Sequence, residues 1–218
     1  DARVDTSDNI YVIYSVATTG RNDAYDVFYR KISYNGSSSW TANSAQTVLD
    51  GSGSATAYHY SAMEIQGTTR LWLASRYYDG TNYGITLYYS DGLGTAPTWT
   101  ISQATMDTAG TSALYHYPTF ARFSTNIALL YNVESGSDMA WRYRADADGL
   151  TSWNAQATLA STFLVRAASF SAVGDTTGNI YVAASGSLML FSHYFSSWST
   201  PASISTSVIS DQYASVST

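Results

Sequence analysis

The sequence predicts an all-β chain, a β-propeller of four four-stranded repeats. Three observations predict it. One order of anchors recurs four times along the chain. Each recurrence holds four short strand-like segments separated by Gly/Ser/Asn/Asp turns. No segment has the apolar spacing of an amphipathic helix of ~10 residues or more.

The first anchor is a strand that follows a polar turn, Asn9-Ile10-Tyr11-Val12-Ile13-Tyr14. It returns as Arg70-Leu71-Trp72-Leu73-Ala74, as Asn126-Ile127-Ala128-Leu129-Leu130-Tyr131 and as Asn179-Ile180-Tyr181-Val182-Ala183. The starts lie roughly 53 to 61 residues apart, the repeat length of a propeller blade with its loops. A second anchor leads through a turn to a tryptophan each time. Val27-Phe28-Tyr29-Arg30 leads to Trp40, Thr86-Leu87-Tyr88-Tyr89 to Trp99, Ala140-Trp141-Arg142-Tyr143 to Trp153, and Met189-Leu190-Phe191 to Trp198. A third closes the unit, as in Gln46-Thr47-Val48-Leu49 and Gln156-Ala157-Thr158-Leu159. The fourth element precedes the next first anchor: Tyr60 to Ile65, Tyr117 to Phe123, Ala167 to Val173, and Tyr213 to Ser217. A β-sandwich explains many short strands but not this shared order.

The repeats fall at approximately 1–59, 60–116, 117–166 and 167–212 of a single domain, with 213–218 left as a closing strand. Two architectures accommodate them. One is a closed four-bladed ring in which Tyr213–Ser217 joins the first blade and removes an open edge. The other is a segment of a larger propeller.

Composition narrows the function classes. Of 218 residues, 15% are aromatic and nineteen are tyrosine, which favours half-buried pleated surfaces. The net charge is −6 and Lys31 is the lone lysine, so no basic footprint for nucleic acid exists. No apolar run is long enough for a helical membrane span. There is no cysteine, hence no disulfide and no thiolate metal site. The three histidines are far apart in sequence, and no cofactor motif is present, so neither metal nor cofactor is expected. A Ser/Thr/Tyr/Gly-rich, lysine-poor chain suggests an extracellular or cell-surface protein.

The turns before the tryptophans carry a resemblance. Ser33-Tyr34-Asn35-Gly36 ends at Trp40, Ser90-Asp91-Gly92 leads to Trp99, and Asp148-Gly149-Leu150-Thr151-Ser152 reaches Trp153. These resemble degenerate Asp-boxes of the sialidase-like propellers, whose pattern is Ser-x-Asp-x-Gly-x-x-Trp. The resemblance implies turns in which Asn35, Asp91 and Asp148 bond the backbone, glycine takes positive φ and tryptophan is buried below. It also implies that these turns lie away from the functional face.

Matching repeat positions just before the inner strands carry His59, His116, Arg166 and Gln212, two of them flanked by Tyr58 and Tyr115. In a propeller, such positions surround one mouth of the central channel. The loops between second and third strands open on the same face, and one of them holds Arg76, Tyr77, Tyr78, Asp79 and Asn82. Tyrosine beside Asn, Asp and Arg suits a sugar, because rings stack on C–H faces while polar tips bond hydroxyls. The expected ligand-binding set is therefore His59, His116, Arg166, Gln212, Tyr58, Tyr115, Arg76 and Tyr78.

No catalytic set is recognisable. Glu64 and Glu134 are the only glutamates and sit in different elements, whereas a glycosidase needs two facing carboxylates. Glu64 at mid-strand is a candidate partner for Arg122. The sequence thus points first to a binding module for glycans or cell-surface ligands. A glycoside hydrolase or sialidase relative, and a structural repeat of a large surface protein or filament, are the alternatives.

Overall fold

A computed structural model of the chain describes residues 1–17, 25–51, 57–106, 117–133, 139–160, 170–185 and 189–203. Among the described residues every regular element is a strand and every pairing is antiparallel. The first blade holds β1 (Ala2–Val4), β2 (Ile10–Ala17) and β3 (Tyr25–Tyr34), with an outer strand in two pieces, β4 (Trp40–Ala42) and β5 (Gln46–Leu49). The second holds β6 (Ala57–Gln66), β7 (Arg70–Tyr78), β8 (Tyr83–Ser90) and β9 (Trp99–Gln103). One bridge, Tyr25 to Tyr58, links these two sheets. The third blade is β10 (Pro118–Phe123), β11 (Asn126–Asn132), β12 (Met139–Ala145) and β13 (Ala157–Ala160). The fourth is β14 (Phe170–Gly174), β15 (Ile180–Ser185) and β16 (Met189–Phe195), with a split outer strand, β17 (Ser197–Trp198) and β18 (Ala202–Ser203). The anchors among the described residues fall on these strands, although the outer strands of three blades begin earlier than the third anchor, at Trp40, Trp99 and Ser197. The expected closing strand at Tyr213–Ser217 lies outside the described residues.

The chain divides into two compact units, Asp1–Ala109 and Gly110–Thr218, each with two blades. In the first unit Tyr11, Ile13, Val27 and Tyr29 pack against Met63, Ile65, Leu71, Leu73 and Tyr88 of the second blade. Strand β1 is tied to β6 as well. The Asp1 carboxylate accepts the Met63 N–H at 2.9 Å, and the Arg3 Nε reaches Glu64 at 3.3 Å. Glu64 therefore pairs with Arg3 and not with Arg122, whose partner is Asp146. In the second unit Phe123, Ala128, Leu130, Met139 and Trp141 of the third blade pack on Ile180, Val182 and Ala184 of the fourth. Gly174 is required there, because an added Cβ would sit 2.0 Å from the Arg122 carbonyl oxygen.

The turn between first and second strands contains a device that the sequence shows only as a polar stretch. The Asp5 carboxylate accepts the N–H groups of Ser7 and Asn9, the Asn9 amide and the Tyr11 hydroxyl. Asp175 repeats this with Thr177, Asn179 and Tyr181. The second blade replaces it with an uncharged pair, the Trp72 indole N–H donating to the Gln66 side-chain oxygen at 2.8 Å. Burial acts upward on Asp5, but the bonds from Tyr11, Asn9 and Ser7 prevail and hold it below the ordinary carboxylate value. Asp175 lies far below that value, held chiefly by the Asn179 backbone N–H and then the Asn179 side chain.

The tryptophan-bearing turns match the expected roles in part. Asn35 accepts the N–H groups of Ser37, Ser38 and Ser39, Asp91 that of Thr98, and Asp148 that of Ala145. These side chains are turn-makers. Of the three turn glycines, however, only Gly36 has positive φ, at 78°. Trp40 is 52% exposed, because its short strand β4 lies on the sheet's outer edge. Trp99, Trp153 and Trp198 are half-buried, and Trp99 meets the Tyr29 ring edge-on at 5.8 Å.

Candidate functional site

The end of the second blade where β6 begins and β7 finishes gathers the described members of the expected set. The register of β6 on β7 slips between Tyr58 and Ser61. Tyr58 lies opposite Tyr77 and Ser61 opposite Ser75, which leaves His59 and Tyr60 together facing Arg76. A bulge of this kind re-aims a side chain at the rim of a sheet. The turn from β7 to β8 is short, with the Asp79 carboxylate accepting the N–H groups of Thr81 and Asn82 at 2.9 and 2.8 Å. Those two N–H groups, Asn82 foremost, hold Asp79 below its ordinary value, so it stays ionised at neutral pH.

Four side chains form a stacked row along this end. The rings of Tyr78 and Tyr83 stack with centroids 4.5 Å apart. The Arg76 guanidinium carbon lies 4.5 Å from the Tyr83 centroid and 5.6 Å from that of Tyr60. Arg76 is only 3% exposed, whereas Tyr60 is 55% exposed. Cation–π attraction of a desolvated guanidinium fixes both rings. The Tyr78 hydroxyl donates to the Gly80 carbonyl at 2.7 Å, pinning the row to the turn. Gly84 makes room beneath, since a Cβ there would come 2.8 Å from the Tyr77 ring. The result is an exposed, rigidly held aromatic ledge with hydroxyls, a carboxylate and an amide beside it.

Tyr58 is half-buried on the opposite side of β6, where it shares a hydroxyl hydrogen bond with Tyr88. Burial first, and this bond after it, push the Tyr88 hydroxyl above its ordinary value. Tyr58 is thus a support, not part of the row. His59 lies on β6 by its backbone, and its side chain is outside the described set. Tyr115, His116, Arg166 and Gln212 lie outside the described residues. Two members of the row are missing from the expected set, Tyr60 and Tyr83. The signal for Tyr60 was the aromatic pair around His59. Tyr83 sits within β8, where an aromatic reads as core. Among the described residues no group of His, Asp and Glu is arranged to hold a metal ion. No helix there is long and apolar enough to cross a membrane.

No protein-family model and no curated relative matches the sequence. Solved structures do. A triple arginine-to-alanine mutant of AofleA from Arthrobotrys oligospora matches over 98% of this chain and 59% of its own, with a TM-score of 0.64 and 15% identity. A Penicillium chrysogenum α-L-arabinanase complexed with arabinobiose matches over 87% of this chain and 58% of its own, with a TM-score of 0.57 and 14% identity. A mutant Aleuria aurantia lectin in complex with α-methyl-L-fucoside matches over 93% and 58%, with a TM-score of 0.55 and 15% identity. The fold is a β-propeller. This propeller chain spans about three fifths of the length of the structures it matches. At such identities the likeness extends to the fold, and the site must be argued from its own residues.

Proposed function

We propose that this propeller is a glycan-binding module and that the Tyr60–Arg76–Tyr83–Tyr78 row is its ledge. One observation carries the reading: an exposed tyrosine ring is held in place by a buried guanidinium. A ring fixed before binding loses little entropy when a ligand lands on it. Its face offers a stacking surface for sugar C–H groups, and Asp79 and Asn82 lie at the turn beyond Tyr78 to meet hydroxyls. Two of the matched structures support the choice of ligand class, since one is a complex with a fucoside and one a complex with arabinobiose. The finer placement among sialidase-like propellers belongs to the same reading, as does a location outside the cell or at its surface. The hydrolase alternative has lost one candidate: Glu64 is held by Arg3 and by the Ile65 N–H.

A glycan array screened with the 218-residue chain tests this reading. At least one glycan class is expected to bind. Titration of the best hit should weaken at least tenfold in Tyr60→Ala. An empty array sinks the proposal. A hit indifferent to Tyr60→Ala moves the site away from the second blade.

A further inference from the structure

The chain holds nineteen tyrosines and no cysteine. No disulfide can staple a strand pair here, but two phenol rings can be joined by other chemistry. Tyrosines couple through ring carbons ortho to their hydroxyls once each has lost one electron and one proton. The coupling favours rings already in contact, because an isolated phenoxyl radical is quenched before it finds a partner.

Tyr11 and Tyr29 stack, but their centroids are 6.5 Å apart and both rings are fully buried. Tyr58 and Tyr88 meet through their hydroxyls, and Tyr88 is buried. Tyr78 and Tyr83 differ from both pairs. They are register partners, the last residue of β7 and the first of β8. Directly opposed residues of antiparallel strands have Cβ atoms about 4.5–5.5 Å apart, so their side chains leave the sheet side by side. The two rings stack with centroids 4.5 Å apart and planes 27° from parallel. The turn keeps them there. The Tyr78 hydroxyl donates to the Gly80 carbonyl at 2.7 Å, and the Asp79 N–H to the Asn82 carbonyl at 3.1 Å. Arg76 packs on the Tyr83 ring as well. Both rings are half-buried, beside the exposed turn residues Asp79, Gly80 and Thr81.

We propose that Tyr78 and Tyr83 form a modification site, at which a one-electron oxidant of the peroxidase type joins them into a dityrosine. Each phenol gives up one electron and its O–H proton. The two phenoxyl radicals form one bond between a Cε of Tyr78 and a Cε of Tyr83. Each ring then moves the hydrogen of its bonded Cε onto its oxygen and becomes a phenol again. The chain loses two hydrogens in all, and one hydrogen peroxide, consumed through the peroxidase, accepts them and leaves as two waters. The product closes the β7–β8 hairpin covalently in a chain that has no disulfide. It is independent of whether the ledge binds a glycan.

Treatment of the dilute 218-residue chain with a heme peroxidase and one equivalent of hydrogen peroxide tests this. The monomer, separated by size exclusion, should show dityrosine fluorescence and a mass lower by two hydrogens. Peptide fragmentation should place the new bond between Tyr78 and Tyr83. Tyr78→Phe and Tyr83→Phe should each lose the monomer's dityrosine signal, with circular dichroism unchanged. Tyr34→Phe, at a turn of the first blade, should keep it. A monomer without dityrosine overturns the proposal. So does a bond mapped to other tyrosines, and so does a signal that survives substitution of Tyr78 or Tyr83. The bond is mapped in the wild type, so the result stands even where a variant folds poorly.

Discussion

Strands β7 and β11 hold the same place in successive repeats and are buried alike, from Leu71 to Arg76 and from Ile127 to Asn132. Their chemistry differs at two equivalent positions. Where β7 has Trp72, β11 has Ala128. Where β7 ends its buried run on Arg76, β11 ends on Asn132. The inner strands differ in step. Tyr60 and Tyr117 share a repeat position, but the Tyr60 ring lies exposed on Arg76, while the Tyr117 N–H donates to the Asn132 side-chain oxygen at 2.8 Å. Tyr117 is only 9% exposed. One pair of positions thus makes a ledge in the second blade and a buried lock in the third. The repeat supplies an address at the rim. The side chain there, and the bulge in β6, decide whether the address is a site or a clasp.

The largest expected effect comes from the other difference. Trp72 is fully buried and its N–H is satisfied by Gln66. Trp72→Ala should cost about 3–5 kcal/mol in chemical unfolding if the neighbours do not collapse into the space. A loss below ~1 kcal/mol would show that β7 does not depend on its ring and would remove half of the contrast with β11. Asn132→Ala comes next. It leaves the Tyr117 N–H unsatisfied in a buried place, so about 1–3 kcal/mol of stability should go. Glycan affinity should be unchanged. An affinity drop with intact stability would make β11 a site and break the comparison. Arg76→Lys should act the opposite way. Lysine keeps the charge but not the plane that stacks between two rings. Binding should weaken by about 1 kcal/mol, or roughly fivefold, with the melting temperature nearly kept.

The smallest effect is set by pH and distinguishes turns. The carboxylates of Asp5 and Asp175 have depressed values in the folded chain. Their stabilisation is therefore present above the unfolded carboxylate value of about 4 and is lost as pH falls through the folded values. Melting temperature should hold from neutral pH down to about 5 and decline below about 4. Asp175→Asn should flatten that decline. Gln66 does not titrate, so hydrogen exchange at Tyr11 and Tyr181 should rise in acid before exchange at Trp72. Simultaneous loss at all three would mean that the turns do not control their own blades.

The sequence by itself determined the strands and their grouping. Period-two alternation, turn residues and a recurring order of anchors are local signals, and the anchors among the described residues fall on strands, whereas the short outer pieces β4 and β17 and the early start of β9 at Trp99 were not among them. It also determined that Asn35, Asp91 and Asp148 build turns, because an Asx side chain bonds amides only a few residues away. Two members of the stacked row, Arg76 and Tyr78, were legible as candidates, both in a loop-proximal run of polar and aromatic residues. Tertiary structure alone decided the rest. Glu64 found Arg3 instead of Arg122, because the partner was chosen by how β1 lies on β6. Trp40 ended at an exposed edge although it follows a Ser/Asx/Gly turn as half-buried Trp99 does. Tyr60 joined the ledge, and Tyr58 left it, through a one-residue slip between β6 and β7, while Tyr83 joined it because β8 sets it opposite Tyr78. Such a slip sends a side chain to the other face of a sheet without changing the composition of the strand. Local propensity fixes which residues form strands, but the face a residue takes depends on register, and register is set by packing across strands far apart in sequence.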